Sequence, residues 1–373
     1  MKKIFEILRD VPPFFVFFDL KIGYQYIPSF IFHKVEAEEF ELLIQHLKRN
    51  NYLTLSIKEY YEYLTDVKKD TQQKVLLTFD DGWRNNWSVV FPILKKYGMK
   101  AVFYVNPGLL HEDIGCGPNL EDVWRGKHDF KELINFEKKY PFISWKEAEI
   151  MENSGLVNIE SHGWNHQMCF VSDKIIDFQH PLDDGTPKYK WLFTAIDVNY
   201  DEIIWGAPVY EFASRFIARR YYDDERLRWL CINYVKEKGG VEFFKNKNWR
   251  SELKKLVNKY RKEHGFKGRF ENDTEQEFAI RDNLLSAKEE IEKRLNKRCE
   301  HFACPWNVCG RLAFLWLKEL GFKTIFQYKS SYRIPKAGDN PLKLSRMEGY
   351  WIKYLYGEGR KSPFLRILSK LKK

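Results

Sequence analysis

The chain has 373 residues, 44% hydrophobic and 31% charged, the proportions of a folded soluble protein rather than of a disordered one. Its formal net charge of +10 suits an anionic partner, but no zinc-finger or RNA-recognition signature accompanies it, so nucleic acid is not expected. Six scattered cysteines do not make a disulfide scaffold, and Cys299, Cys304 and Cys309 recur every five residues rather than at zinc-site spacing.

In chain order, the N-terminus "MKKIFEILRD" starts with lysines, but Glu6, Arg9 and Asp10 interrupt any apolar leader. The run "VPPFFVFF" is too short to span a bilayer, and the expectation is a cytoplasmic protein. From residue 52 onward short apolar runs alternate with helical patterns. "YLTL" (52–55) precedes Ser56 and a helix. "VLLTF" (75–79) precedes a helix reaching Tyr97 and ended by Gly98. "KAVFYV" (100–105) is a strand, "SWKE" (144–147) a capping box opening a helix that stops near Gly155, and "VNIE" (157–160) the next strand. A helix over 280–296, the strand "HFAC" (301–304), a helix over 311–320, and the strands "KTIF" (323–326) and "LKLS" (342–345) complete the series. Repeated βα units imply a parallel sheet, open or closed into a barrel, with its chemistry at the carboxyl ends of the strands.

Two regions break this rhythm. Residues 167–274 read as a largely helical insertion that caps the site. Within it, residues 210–265 hold 15 Lys/Arg against 8 Asp/Glu, so a basic face is available to an anionic substrate, a solvated helix surface being the plain alternative. The tail 351–373 ends in "SPFLRILSKLKK". Phe364, Leu365, Ile367, Leu368 and Leu371 share one helical face there, ringed by lysines and Arg366. Such a helix suits contact with a membrane surface, or else docks on the protein itself.

Two clusters carry the chemistry. "TFDDG" sets Asp80 beside Asp81 where a buried strand ends, and "IESHGWNH" sets His162 and His166 four residues apart at the end of another. A His pair at this spacing can share a metal, and a carboxylate beside it completes a two-His, one-carboxylate set. That set leaves coordination positions open for water and substrate, as catalytic sites require.

"TFDDG", "SHGWNH" and "FACPWN" (302–307), in that order on βα units, resemble the polysaccharide deacetylase family, the NodB-homology group of carbohydrate esterases. The resemblance covers residues 28–166 and 275–350. It implies an α/β fold, a distorted (β/α) barrel, in a catalytic domain over residues 1–350. It also implies removal of acetyl groups from sugars with one divalent metal. Matched by position, Asp81, His162 and His166 become the metal ligands and Asp80 the general base. Zn²⁺ is the default ion, with Ni²⁺, Co²⁺ or Fe²⁺ compatible with the donors.

Two family features are missing. The arginine that often precedes the third motif's proline by two residues is replaced by Ala303, and no histidine follows His301 to protonate the leaving amine. The segment "IFHKV" (31–35) resembles the upstream histidine segment of a permuted branch that includes poly-N-acetylglucosamine deacetylases, which makes His33 the expected general acid. Pro305 and Trp306 are expected at the substrate rim, where the backbone N–H after Pro305 suits an oxyanion. Arg346 either replaces the absent bracing arginine or is a rim charge.

The resulting expectation is a hydrolase that de-N-acetylates an acetamido sugar of a cell-surface glycan or lipid-linked saccharide, at the inner face of the membrane. A deformylase or other amide hydrolase would share the metal site. A non-catalytic glycan-binding scaffold is the alternative of another class.

Overall fold

The computed structural model describes residues 12–17, 21–66, 71–112, 114–189, 192, 204–330 and 333–361. The amphipathic pattern at 362–373 and the first eleven residues lie outside them. Among the described residues no helix is long and apolar enough to cross a membrane. All six cysteines are free thiols.

The chain forms two compact units, Met1–Asn165 with Asn283–Asn307 and Leu317–Lys373, and His166–Asp282 with Val308–Trp316. In the first unit, β1 (Ser29–Phe32), β2 (Leu53–Thr54), β3 (Lys74–Asp81), β4 (Ala101–Val105) and β5 (Val157–Ser161) alternate with helices. The second unit contributes β6 (Met168–Phe178), β7 (Pro208–Ser214), β8 (Tyr221–Tyr222) and β9 (Arg269–Phe270). The first unit then resumes with β10 (His301–Ala303), β11 (Thr324–Lys329) and β12 (Leu344–Glu348).

Seven parallel strands run in the order β1-β12-β11-β10-β5-β4-β3, and β3 pairs back onto β1, closing a barrel; β2 extends β3 on the outside. Parallel strands covered on both faces read as continuous apolar runs. Accordingly every residue of β4, and all of β3 except Asp81, is buried. The interior is filled by Leu76, Val102, Tyr104, Ala303, Phe326 and Leu344.

Local signals place the elements. Ser56 and Ser144 form reciprocal capping boxes with Glu59 and Glu147. Gly98, at φ 65°, ends the helix Phe91–Tyr97 in the left-handed conformation that glycine adopts without strain. The helix expected over 280–296 starts earlier, at Asp273.

The segment 167–274 contains the expected helices, Glu225–Glu237 and Trp249–His264. It also holds two antiparallel ribbons, β6–β7 and β8–β9, that helical periodicity did not suggest. Its core is separate, with Phe178, Leu227, Cys231, Val235, Trp249 and Leu253 packed together.

Candidate active site

Asp80 and Asp81 end β3 beside Tyr104 and Val105 of β4. Their side chains diverge because the backbone turns at once: Asp81 and Gly82 both have φ of 75°. A left-handed aspartate is tolerated where the surroundings hold it, and such residues collect at functional sites.

Asp80 is 1% exposed and Arg346, from β12, is 0% exposed. The guanidinium grips the carboxylate bidentately, Nη1 to Oδ1 at 2.6 Å and Nη2 to Oδ2 at 2.7 Å. Arg346 also donates to Thr78 Oγ1 and Asn307 Oδ1, both at 3.1 Å. Burial alone would raise the Asp80 carboxyl's pKa. Arg346, His162 and His33 together outweigh it, and the group is held below its ordinary value. The arginine missing at position 303 is thus supplied from another strand. Arg346 therefore braces Asp80 instead of forming a rim charge, because its guanidinium is fully buried and bonded to Asp80, Thr78 and Asn307.

Ala303 has a different use. Its carbonyl oxygen accepts from His162 Nδ1 at 2.7 Å, which leaves Nε2 turned toward the acids, 3.4 Å from Asp81 Oδ1 and 3.7 Å from Asp80 Oδ2. A histidine tied through one ring nitrogen to a carbonyl presents the other as a metal ligand in a fixed tautomer. Burial lowers the His162 pKa, but the two aspartates outweigh it and the net direction is upward. A cation bound here would displace a proton.

The loop after β5 carries the second histidine. Asn106, which follows β4, donates from Nδ2 to the carbonyls of His162 and Gly163 at 2.8 and 3.0 Å. Asn283 Oδ1 accepts from the Trp164 N–H at 2.9 Å. Gly163 at φ 78° and His166 at φ 52° turn the chain between the two histidines. Asp81, His162 and His166 offer ligand atoms that all lie within 4.8 Å of one another. Two imidazole nitrogens and a carboxylate oxygen in that space fit one divalent cation with open coordination positions. On the other oxygen of Asp81, Trp83 Nε1 donates to Oδ2 at 2.9 Å.

His33 is exposed and directly follows Phe32 in β1, whose register partner in β3 is Phe79, the residue before Asp80. The carboxyl ends of β1 and β3 therefore emerge side by side, and His33 acts on Asp80 electrostatically. Asn86 Nδ2 holds the His33 carbonyl at 3.0 Å. Pro305 is buried, while Trp306 is 43% exposed at φ 61°. His301 is buried against Thr324 Oγ1 at 2.9 Å, a structural position.

Sequence reasoning missed Trp83, Asn106, Asn283 and Asn307. Asn106 was open to discovery, since it follows a strand's carboxyl end. Trp83 stands two residues after Asp81 across a glycine turn. Nothing in the sequence marks Asn283, which sits within a long helix.

A family model described as polysaccharide deacetylase matches residues 67–182. Over 80 residues the chain is 42% identical to YxkH of Bacillus subtilis (strain 168), provisionally named a polysaccharide deacetylase; the match covers 21% of this chain and 29% of YxkH. Over 119 residues it is 30% identical to the poly-beta-1,6-N-acetyl-D-glucosamine N-deacetylase of Escherichia coli (strain K12), covering 32% of this chain and 16% of that one. The chain thus spans less than a third of the length of either relative. A de-N-acetylase structure from Aggregatibacter actinomycetemcomitans superposes with a TM-score of 0.50 at 16% identity, over 87% of this chain and 94% of that one, which is a likeness of fold.

Proposed function

We propose that the chain, which matches a polysaccharide deacetylase family model over residues 67–182, is a metal-dependent hydrolase removing the N-acetyl group from an acetamido sugar. Its substrate is a cell-surface glycan or lipid-linked saccharide met at the cytoplasmic side of the membrane. The observation that carries this reading is the pairing of two unlike aspartates at one strand end. Asp81 faces two histidines at metal-binding distance, and Asp80 is locked in its ionised form by Arg346.

A divalent ion, zinc by default, held by Asp81, His162 and His166 would lower the pKa of water and polarise the amide carbonyl. Asp80 then needs little basicity of its own. Its depressed pKa keeps it ready to take a proton, and a lone pair beyond those engaged by Arg346 receives the proton of the attacking water. The water oxygen bonds to the acetamide carbon, and in this reading the backbone N–H of Trp306 donates to the oxyanion. The carbon–nitrogen bond then breaks, His33 gives its proton to the departing amine, and acetate is the second product.

The test is metal analysis of the purified protein together with acetate release from candidate acetamido sugars and lipid extracts. Stoichiometric metal and acetate release abolished by Asp80→Asn are the expected results. A wild type that binds no metal sinks the proposal. A His33→Ala variant with full activity reassigns the acid alone.

A further inference from the structure

We infer that Trp83 is a positioning residue for the metal centre: its indole N–H fixes the Asp81 carboxylate so that Oδ1 is the oxygen presented to the cation. The inference rests on reading Asp81, His162 and His166 as metal ligands.

A carboxylate can offer a cation either oxygen or both, and an unheld aspartate beside an open site samples all three arrangements. Here Trp83 Nε1 donates to Oδ2 at 2.9 Å while Oδ1 lies 3.4 Å from His162 Nε2. The oxygen facing the histidine is therefore the one the tryptophan leaves alone. An indole N–H suits this task because it donates only: it cannot accept, ionise at working pH or compete as a ligand. Single-oxygen ligation keeps one more coordination position for water and the acetyl group.

The local chain is built to aim this side chain. Consecutive φ values of 75° at Asp81 and Gly82 fold residue 83 back onto residue 81. A Cβ on Gly82 would press on Val105 and Leu110 at 3.3 Å, so the turn is both left-handed and tight. Either side of Trp83 the backbone is tied down, the Ile143 N–H to the Gly82 carbonyl at 3.0 Å and the Arg84 N–H to the Pro141 carbonyl at 2.7 Å. The ring stacks on Phe142 with centroids 4.7 Å apart, and Lys34 Nζ lies 4.0 Å from its centroid. Arg84, buried and bonded to Glu147 and to the Tyr140 carbonyl, anchors the segment from below. An aromatic ring pinned on this scale holds its N–H in one direction.

The experiment compares the wild type and Trp83→Phe, stripped of metal and titrated with Zn²⁺ by calorimetry. Phenylalanine keeps an aromatic face for Phe142 while losing the donor together with the five-membered ring, and a benzothienylalanine variant isolates the N–H. The expected result is a rise of about 10–100-fold in the zinc dissociation constant, with the apo protein's thermal midpoint unchanged. Turnover lost at limiting zinc is expected to return in excess zinc, with KM for the sugar unaltered. Replacing Trp83 with benzothienylalanine, which exchanges the N–H for sulfur at nearly equal size, gives the same rise if Trp83→Phe does not fold. Equal zinc affinity in wild type and variant overturns the inference while leaving the metal site intact. A raised KM at saturating zinc overturns it too, by making Trp83 a substrate platform. A wild type that takes up no zinc removes the metal reading itself, and the inference with it.

Discussion

Two buried arginine–carboxylate pairs in this molecule are alike in their hydrogen-bond distances, yet they are placed for different ends. In the barrel, Arg346 grips Asp80 at 2.6 and 2.7 Å; in the second unit, Arg215 grips Glu271 at 2.7 and 2.6 Å, and all four side chains are at most 2% exposed. The difference lies in the remaining lone pairs. Glu271 Oε1 also accepts the Arg220 N–H at 2.7 Å, and the Glu271 N–H donates to the Arg220 carbonyl at 3.0 Å, so this pair closes on its own backbone and ties β8 to β9. Asp80 instead faces His162 Nε2 across 3.7 Å, with His33 near enough to act on it. Burial and a bidentate partner therefore do not distinguish a reactive carboxylate from a structural one. What it faces besides its partner does.

The sharpest way to break this comparison is to neutralise each carboxylate while keeping its shape. Asp80→Asn is expected to lower kcat by about 10²–10⁴-fold, the span of a lost general base, with zinc binding kept. Glu271→Gln is expected to leave kcat per folded molecule near wild type and to cost stability instead. If both variants lose turnover alike in the folded state, the distinction between the two pairs is wrong.

Removing the arginines tests the other half. Arg346→Met and Arg215→Met each leave a buried charge uncompensated, which costs about 3–5 kcal/mol in urea denaturation. Only Arg346→Met is expected to change the pH–rate profile. The base works ionised, and Arg346 holds its pKa down, so in its absence the acid limb of kcat/KM moves to higher pH. An unmoved limb in Arg346→Met would mean that Asp80 does not set it.

This contrast also explains what the sequence could tell. The strands, Gly98 and the two serine caps rest on local rules, and the structure repeats them. The Asp81, His162 and His166 cluster was legible because each residue sits at or just past a strand end, where barrels gather their chemistry. Arg346 was legible as either a brace or a rim charge, and the sequence could not choose between them, because its partner is 266 positions away and only barrel closure brings β12 and β3 onto the same strand, β1. The ribbons of the second unit were missed for a similar reason. β6 is interrupted by register shifts against β7, so its side chains do not alternate cleanly and the period of two is lost.

A pH dependence of stability must be kept apart from that of the rate, and His301 supplies one. Burial drives its pKa from 6.5 to about 3. Below pH 6.5 the unfolded chain binds a proton that the folded chain refuses, so stability is complete above that pH and is lost as pH falls toward 3. The slope within the window is at most about 1.4 kcal/mol per pH unit. Unfolding free energies from urea titrations at pH 6.5 and 5 are expected to differ by on the order of 2 kcal/mol more in the wild type than in His301→Asn, which does not titrate. Equal differences would show that His301 is protonated in the fold.

The smallest effect separates two neighbours in the turn after β10. Trp306 and Asn307 are both left-handed, at φ 61° and 54°. Asparagine tolerates this conformation, whereas an ordinary side chain gives up about 1–2 kcal/mol in it. Asn307 also accepts from Arg346, so its conformation has a local reason. Trp306 bears the strain while 43% exposed, which is hard to understand as packing and easy to understand if the indole meets a sugar face. Trp306→Asn is therefore expected to leave the fold unchanged or more stable by up to about 1 kcal/mol, with the lost indole contacts offsetting part of the relieved strain. KM for the sugar is expected to rise about fivefold, the equivalent of roughly 1 kcal/mol of aromatic contact. A variant that loses stability while KM stays fixed would make Trp306 a packing residue, and would leave the rim to be found elsewhere on the carboxyl face.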